Sequence, residues 1–343
     1  MLTALLKAPK TFEIVERPVP TPETGEVLVE TAATAVCHTD LGMYLGHSPG
    51  TKYPVVLGHE STGTIAAVGP NVTHLQPGQN VIINPIIACG HCDQCNRGAR
   101  HLCRNAGLFG REVEGSLNQF VRLDARYVFP LPDHISLADA TIIETLATVR
   151  HAQQRAVIHD GQSVVVLGQG TSGLLHTRLA VLTGADPVIG ITRTKWKLEM
   201  ASKMGAHHVI QKSADDAVED VLKLTNGEGA DLIIDTAGGA HTLRVGIEML
   251  KPGGRFLSFS LSHTPFEGFT AFPLYYKELT IIGTRALTDD DMQPSIDLVA
   301  SGRIDVSDFV SGTYPLRETA AAFKEYEDNP GRILRLVIDS RAD

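Results

Sequence analysis

SVVVLGQGTSGLLHTRLAVLTG, residues 163–184, contains four consecutive apolar residues of strand type, a glycine-rich turn and then a helical pattern. Gly168, Gly170 and Gly173 have the spacing that lets a backbone approach a pyrophosphate at the N-terminus of a helix. The spacing alone is a weak signal, but here it follows a strand and precedes a helix. The stretch therefore predicts a dinucleotide-binding turn in which Thr171 and Ser172 lie beside the three glycines.

The chain that follows repeats the alternation of strand and helix. Apolar runs occur at "PVIGI", "HHVI", "DLIID", "RFLSFS" and "LTIIG", with amphipathic stretches between them. This pattern is typical of a parallel sheet that is covered by helices on both faces. Together with the first strand the runs make six, so we predict an α/β, doubly wound Rossmann domain over residues 146–285.

The rest of the chain has a different pattern. In residues 1–145, short β-type runs such as "EVLVETAATAV" and "STGTIAAVGP" are separated by Gly and Pro turns, which favours an antiparallel barrel or sandwich. Residues 286–343 contain two helical stretches and the closing run "GRILRLVID". We predict that this closing run is a strand that returns to the first domain, so that domain comprises residues 1–145 and 286–343.

Composition narrows the classes of function. The chain has 343 residues, 43% hydrophobic and 20% charged, as expected for about two globular domains. Its 30 Lys and Arg against 39 Asp and Glu give a net charge of −9, which disfavours nucleic acid as a partner. No apolar run approaches a membrane span, and repeats are missing. Because the sequence begins without a cleavable apolar signal region, we expect a cytoplasmic enzyme with reduced cysteines.

Four of the five cysteines lie in "CGHCDQCNRGARHLC", residues 89–103. Thiols at this spacing can surround one ion at zinc–sulfur distances, whereas unliganded thiols would be exposed to oxidation side by side. We predict a closed, structural zinc site, which leaves no position open for a substrate, and we interpret His91 and His101 as surface residues. The predicted ligands are Cys89, Cys92, Cys95 and Cys103.

A second group of metal-binding residue types is spread along the chain. Cys37 lies in "AVCHTD", His59 and Glu60 are adjacent in "VLGHESTG", and Glu144 lies in "IIETLA". Each residue alone is more simply a buried thiol, a core histidine or a surface carboxylate. Together they can form a zinc site with three protein ligands and one open position, as catalysis requires.

The end of the second Rossmann strand bears on the choice of cofactor. Thr192 stands where a fold that prefers NAD carries an acidic residue to hold the adenosine ribose. Without that acid, a 2′-phosphate is not repelled, and Arg193 or Lys195 can pair with it. We therefore favour NADP(H) over NAD(H).

These motifs resemble the zinc-containing medium-chain alcohol dehydrogenases. "CHTD", "GHE", the four cysteines and "GQGTSG" follow in the expected order over nearly the entire chain. The resemblance implies a GroES-like barrel as the catalytic domain, a Rossmann domain, an active-site cleft between them, and a homodimer or homotetramer formed through Rossmann edges.

The resemblance also implies roles for individual residues. Cys37 and His59 match catalytic zinc ligands, and it stays open whether Glu60 or Glu144 completes the set. Thr39 matches the hydroxyl that takes up the substrate proton, and Asp40 matches the group that orients the ligand histidine. Two further matches are Thr148, near the nicotinamide ring, and Arg335, near the pyrophosphate or a carboxylate at the metal. Gly42 replaces a relay histidine of many members, and His47 is a candidate substitute.

The expected reaction is reversible hydride transfer between an alcohol, or an aldehyde or ketone, and NADP(H) or NAD(H), with two zinc ions per chain. A polyol or amino-alcohol dehydrogenase is the alternative among enzymes, and a non-catalytic cofactor-binding sensor is the alternative from another class. If Pro85, Ile86 and Ile87 line the substrate pocket, they favour apolar substrates.

Overall fold

The computed structural model describes residues 1–262 and 264–342. The chain forms two compact units, one made of residues 1–147 with the chain from Leu287 onward, the other of Thr148–Ala286. The predicted domain boundaries differ from these by two residues at the first junction and one at the second. Within the described residues, no helix is both long and apolar enough to span a membrane.

The strands are β1 (Leu2–Ala8), β2 (Thr11–Glu16), β3 (Glu26–Ala35), β4 (Val55–Val56), β5 (Glu60–Val68), β6 (Asn80–Ile83), β7 (Ile86–Ile87), β8 (Gly107–Leu108), β9 (Phe120–Asp124), β10 (Val128–Pro130), β11 (Val164–Leu167), β12 (Val188–Ile191), β13 (His208–Ile210), β14 (Ala230–Asp235), β15 (Leu250–Ser258), β16 (Thr280–Gly283), β17 (Val310–Pro315) and β18 (Arg335–Asp339). The α-helices are α1 (His38–Tyr44), α2 (Asp93–Asn96), α3 (Leu137–Ala140), α4 (Ile142–Ala156), α5 (Thr171–Leu182), α6 (Lys195–Lys203), α7 (Val218–Leu224), α8 (Thr242–Met249), α9 (Phe272–Tyr276), α10 (Asp289–Ala300) and α11 (Thr319–Asp328).

The first unit is built around a sheet in the order β10-β6-β5-β3-β18-β17, with β9 also paired to β3. Strands β3, β5, β6, β9 and β10 pair antiparallel. The closing strand β18 pairs antiparallel with β3, for example Val337 opposite Ala35. The strand Arg335–Asp339 therefore belongs to the sheet of the first unit.

The second unit contains a parallel sheet in the order β13-β12-β11-β14-β15-β16. This is the doubly wound strand order, so the Rossmann prediction is confirmed. Alternate residues of β11 explain why its sequence is continuously apolar. Val165 packs in a cluster with Val221 of α7 and Leu243 of α8, whereas Val166 packs in a cluster with Ala180 of α5. Both faces of the strand are buried, as parallel sheets require.

A buried histidine lies inside the second unit. Gln153 of α4 donates from Nε2 to Nδ1 of His176 at 3.1 Å and to its carbonyl oxygen at 2.8 Å. The Phe259 ring meets the imidazole edge to face, with 4.6 Å between ring centroids. Since Nδ1 accepts a hydrogen bond, the imidazole is neutral with its proton on Nε2. Burial lowers the pKa of His176 to about 3.

We predict that His176 makes the protein sensitive to mild acid. Below the usual histidine pKa of about 6.5, the unfolded chain takes up a proton that the folded chain refuses, so the free energy of unfolding falls by about 1.4 kcal/mol per pH unit. The variant His176→Gln should lose this contribution. Denaturant titration of both proteins at pH 7.5 and pH 5.5 measures it, and an identical pH dependence in the two proteins would contradict the prediction.

Candidate active site and cofactor turn

The four clustered cysteines converge in the first unit without forming disulfides. Their sulfur–sulfur distances are 3.4 Å for Cys89 and Cys103, 3.5 Å for Cys92 and Cys95, 3.8 Å for Cys92 and Cys103, and 4.0 Å for Cys89 and Cys95. A tetrahedron of sulfurs about 2.3 Å from a central zinc has edges of about 3.8 Å. The cluster therefore has the dimensions of a four-thiolate zinc site.

The surroundings shift the pKa values of two of these cysteines in opposite directions. Backbone N–H groups of His91 and Cys92 lower the pKa of the Cys89 thiol to about 6. Burial and the neighbouring sulfurs raise the pKa of Cys95 to about 12. Four thiolates so close together need a positive ion to neutralise them.

The two histidines of this segment differ in exposure. His91 is exposed, as predicted, with Nδ1 2.8 Å from the carbonyl oxygen of Cys89. His101 is buried, so the prediction of a surface residue is wrong. It lies in the single helical turn Arg100–Leu102, which directs it inward just before the buried Cys103.

A second cluster joins two loops of the first unit. Cys37 immediately precedes α1, and His59 and Glu60 stand where β5 begins. One ligand atom from each of these three residues lies within 4.8 Å of the other two. Sulfur, nitrogen and oxygen donors in this arrangement fit a zinc ion with a position left open.

Asp40 holds the two loops together. Its Oδ2 accepts a hydrogen bond from the Cys37 N–H at 3.1 Å, and its Oδ1 accepts one from the Gly58 N–H at 3.2 Å. The same Oδ1 lies 3.3 Å from Nδ1 of His59. A proton on Nδ1 directed at Asp40 leaves Nε2 as the donor atom for a metal.

Electrostatics in this buried cluster favour a positive charge. Burial opposes a charge on His59, but Asp40 and Cys37 outweigh it and raise the pKa of His59 well above its usual range. A divalent cation bound here would be attracted by the same two groups, Asp40 and Cys37. The donor set and the local field therefore both fit a metal ion.

Arg335 of β18 reaches the carboxylate of Glu60. The guanidinium forms a buried ion pair with Oε2 of Glu60, while Oε1 accepts a hydrogen bond from the Thr145 hydroxyl at 3.1 Å. Arg335 also donates to the carbonyl oxygen of Thr141 at 3.2 Å. Burial lowers the pKa of Arg335 to about 10, which leaves it charged at neutral pH. Of the two positions that the resemblance implied for Arg335, this contact matches the one beside a carboxylate.

Glu144 lies near this cluster but outside it. In the described part of the chain, the group with ligand atoms within 4.8 Å comprises Cys37, His59 and Glu60. Glu144 is fully buried, and burial raises its pKa to about 7, with further effects from His59 and Asp40.

The candidate proton path begins at Thr39, which is half-buried in α1. A Cβ atom on Gly42 would meet no atom within 4 Å, so this position is open space. His47 is exposed, and its backbone N–H donates to the Gly42 carbonyl at 2.8 Å.

The isoleucines proposed to line a pocket flank the cysteine segment. Ile86 and Ile87 form β7, which pairs with Gly107–Leu108. Ile87 packs against a barrel cluster that contains Val27 and Phe109.

One residue near Cys37 has no signal in the sequence. The hydroxyl of Tyr326 in α11 lies 3.3 Å from Nδ1 of His38, and the two rings meet edge to face. In the sequence, Tyr326 has the pattern of an ordinary core residue of an amphipathic helix. Its contact with His38, the residue after Cys37, depends on how the chain folds.

The glycine turn of the second unit has the geometry of a phosphate cradle. Gly168 follows β11 with φ of +88°, and Gly170 immediately precedes α5. A Cβ atom on Gly173 would overlap the carbonyl oxygen of Gly168, so this close approach requires glycine. Thr171 and Ser172 stand half-buried in the first turn of α5. Thr148, also half-buried, lies in the part of α4 that belongs to this unit.

A cavity of about 310 Å³ adjoins this turn. Its lining includes Gly168, Thr192, Arg193 and Lys212, a residue that the sequence reasoning did not single out. Lys195 begins α6. Of the two cations predicted to face a 2′-phosphate, Arg193 is the one in the lining.

Comparison with known proteins agrees with this arrangement. Residues 23–133 match the alcohol dehydrogenase GroES-like domain, and residues 173–301 match the zinc-binding dehydrogenase domain. A probable D-xylulose reductase A of Aspergillus clavatus is 32% identical over 340 residues, covering 96% of this chain and 94% of that protein. The sorbitol dehydrogenase of Bacillus subtilis is 28% identical over 342 residues, covering 98% and 97%.

Solved structures of similar proteins contain NADP in one case and NADH in another. A putative zinc-binding dehydrogenase of Sinorhizobium meliloti bound to NADP superposes with a TM-score of 0.89 at 28% identity, covering 98% of each chain. An alcohol dehydrogenase of E. coli CFT073 complexed with NADH gives 0.90 at 26% identity, covering 99% of each.

A barrel that carries a thiolate, imidazole and carboxylate cluster, followed by a Rossmann unit, defines a metal-dependent dehydrogenase. The chain belongs to the zinc-containing medium-chain alcohol dehydrogenase family. It is an oxidoreductase that acts on CH–OH groups.

We predict that Arg335 stabilises the fold through Glu60. The variant Arg335→Met leaves a buried carboxylate without its positive partner and should lower the free energy of unfolding by about 3–5 kcal/mol. The double variant Glu60→Gln/Arg335→Met should recover part of that loss, because no unpaired charge remains. Denaturant titration followed by circular dichroism measures both.

The matched control for this prediction is Arg341→Met. Arg341 forms an exposed ion pair with Glu30 at 3.2 Å, which should contribute less than about 1 kcal/mol. Equal losses in the Arg335 and Arg341 variants would contradict a specific role for the buried pair.

Proposed function

We propose that this enzyme uses one catalytic and one structural zinc ion per chain and transfers hydride reversibly between an alcohol carbon and NADP(H) in preference to NAD(H). In this proposal the first unit is the catalytic domain and the second binds the cofactor. The cluster of Cys37, His59 and Glu60 carries the proposal, because its three different donors lie close together, with His59 and Glu60 buried and Cys37 half-buried.

Cys37 and His59 would hold the catalytic zinc. Glu60 is the favoured third donor, since its carboxylate lies in the cluster, and Glu144 is the exchanging alternative. A zinc ion held there would supply a Lewis acid that lowers the pKa of a bound alcohol oxygen. Asp40 orients His59, and Arg335 with Thr145 fixes the direction of the Glu60 carboxylate. Cys89, Cys92, Cys95 and Cys103 would hold the structural zinc.

The nicotinamide cofactor supplies the hydride acceptor or donor. The glycine turn and the N-terminus of α5 would bind its pyrophosphate, with Thr171 and Ser172 in the first helical turn. Thr148 would contact the nicotinamide end, and Thr192 with Arg193 the adenosine end.

The hydroxyl of Thr39 would accept the proton that the substrate releases. With Gly42 in place of a histidine, the proton would next pass to solvent or to a ribose hydroxyl, unless His47 moves toward Thr39.

A polyol is the substrate class that the comparisons favour. D-xylulose reductase and sorbitol dehydrogenase are both named for polyhydroxylated substrates. The apolar pocket expected from Ile86 and Ile87 has less support, because Ile87 packs into a barrel cluster. Initial rates with sorbitol, xylitol, hexanol and benzyl alcohol would decide between the two classes.

We also propose a homodimer or homotetramer formed through the edge of the Rossmann sheet. Strand β16 lies at the end of the sheet order, and Ile281 on it is exposed. Tyr275 and Tyr276 nearby in sequence are highly exposed as well. An apolar edge strand of this kind is suited to pairing with a second copy.

We also propose that the protein is cytoplasmic, because the thiols of the cysteine cluster are reduced and the cytoplasm keeps thiols in that state.

Metal content and turnover test the proposed function. The native protein should contain about two zinc ions per chain and Cys92→Ser about one, whereas Cys37→Ser should keep the structural ion and lose turnover. Mass spectrometry of the metal, with absorbance at 340 nm during incubation with substrates and NADPH or NADH, measures both. His91→Ala, which alters an exposed neighbour, should retain both ions. About one ion in the native protein with no turnover would favour the cofactor-binding sensor.

Cofactor preference is tested at Thr192. The variant Thr192→Asp places a carboxylate against a 2′-phosphate, so kcat/KM should fall at least about tenfold for NADPH relative to NADH. Thr194→Asp adds the same charge two residues away and serves as the control. An unchanged ratio in Thr192→Asp would mean that the adenosine ribose is bound elsewhere.

A further inference from the structure

Two neighbouring strands place cationic side chains at the same end of the Rossmann sheet. β12 ends at Ile191, two residues before Arg193, and β13 ends at Ile210, two residues before Lys212. These strands pair in parallel, and both cations line the cavity beside the glycine turn. We propose that Lys212 is a specificity-determining residue whose ammonium group binds the 2′-phosphate of NADP(H) together with Arg193. This inference rests on the proposed use of the cavity as the cofactor site.

The loops that carry the two cations are connected directly. Nε2 of Gln211, the residue before Lys212, donates to the carbonyl oxygen of Arg193 at 3.4 Å. The contact adds to the parallel pairing of β12 and β13, which keeps the two strand ends side by side. A phosphate in the cavity would therefore have two cationic side chains in its lining, Arg193 and Lys212, with the uncharged hydroxyl of Thr192 next to Arg193 in sequence.

Two acidic residues at this end of the cavity are paired with cations, and a third, Asp216, accepts a hydrogen bond from the Ser213 hydroxyl at 2.6 Å. Asp215 lines the cavity and forms an ion pair with Arg244 at 2.8 Å. Asp220 of α7 forms an ion pair with Lys212, with 2.5 Å between Oδ2 and Nζ. The Lys212 side chain is 46% exposed. Its flexible stem lets the ammonium group move between Asp220 and a phosphate.

This arrangement makes Asp220 a competitor of the phosphate for Lys212. Removing Lys212 should weaken binding of a 2′-phosphate, whereas removing the charge of Asp220 should strengthen it. A ligand that lacks the 2′-phosphate should respond little to either change. Opposite effects from two residues of one ion pair distinguish this role from a merely structural one.

Binding of 2′,5′-ADP and of ADP to the full-length protein tests the inference without turnover. Isothermal titration calorimetry should show tighter binding of 2′,5′-ADP in the native protein. Lys212→Gln should weaken 2′,5′-ADP about fivefold and change ADP less than about twofold, and Lys212→Arg should restore most of the loss. Asp220→Asn should strengthen 2′,5′-ADP by about twofold or more. Lys223→Gln removes an exposed lysine that pairs with Glu219 at 3.9 Å and should change neither ligand.

The possible failures have different meanings. Equal weakening of both ligands by Lys212→Gln, or a preference of the native protein for ADP, would overturn the role of Lys212. The second result would indicate that the ribose is recognised in the manner of NAD. If neither nucleotide binds to the native protein, the proposed use of the cavity as a cofactor site fails as well. A thermal unfolding curve for each variant shows whether the variant is folded under the conditions of the binding measurement.

Discussion

The candidate catalytic cluster depends on one buried carboxylate. Asp40 accepts hydrogen bonds from the backbone at Cys37 and at Gly58 and faces the ring of His59. The loops before α1 and before β5 are separated by twenty residues of chain, and Asp40 is the group that makes them one site. A buried carboxylate with this many donors is held rigidly, so the positions of the thiolate and the imidazole are set before any ion binds.

Much of the fold could be predicted because burial leaves a simple trace in the sequence. The strands of the parallel sheet are apolar without interruption, since both of their faces are covered, and Gly168 with Gly173 marks the turn after the first one. Strands of two residues, such as β7 and β8, have no periodicity that a sequence could reveal. β15 begins at Leu250, several residues before the apolar run that indicated it, because a register shift against β14 accommodates "KPGG".

The residues of the candidate site differ in how well their positions could be predicted from the sequence. The spacing of the four cysteines indicates their convergence, because short loops leave few other geometries. That Cys37 and His59 belong to one site was predicted from their combined chemistry and from the family resemblance, because no periodicity in the sequence connects them. The partner of Arg335 depends on where β18 pairs, and the position of Lys212 depends on the order of β12 and β13. His101 was misplaced because a histidine in a polar loop gives no sign of which way its helical turn faces.

The pairing of β18 with β3 gives the chain an order of assembly during synthesis. Proteins leave the ribosome N-terminus first, so Glu60 is made long before Arg335, which lies 275 residues further along the chain. Until β18 is added, the carboxylate beside Cys37 and His59 lacks its positive partner and β3 lacks one of its neighbours. The nascent first unit therefore carries an unpaired strand edge and a carboxylate without its positive partner, and β18 supplies both missing partners at once.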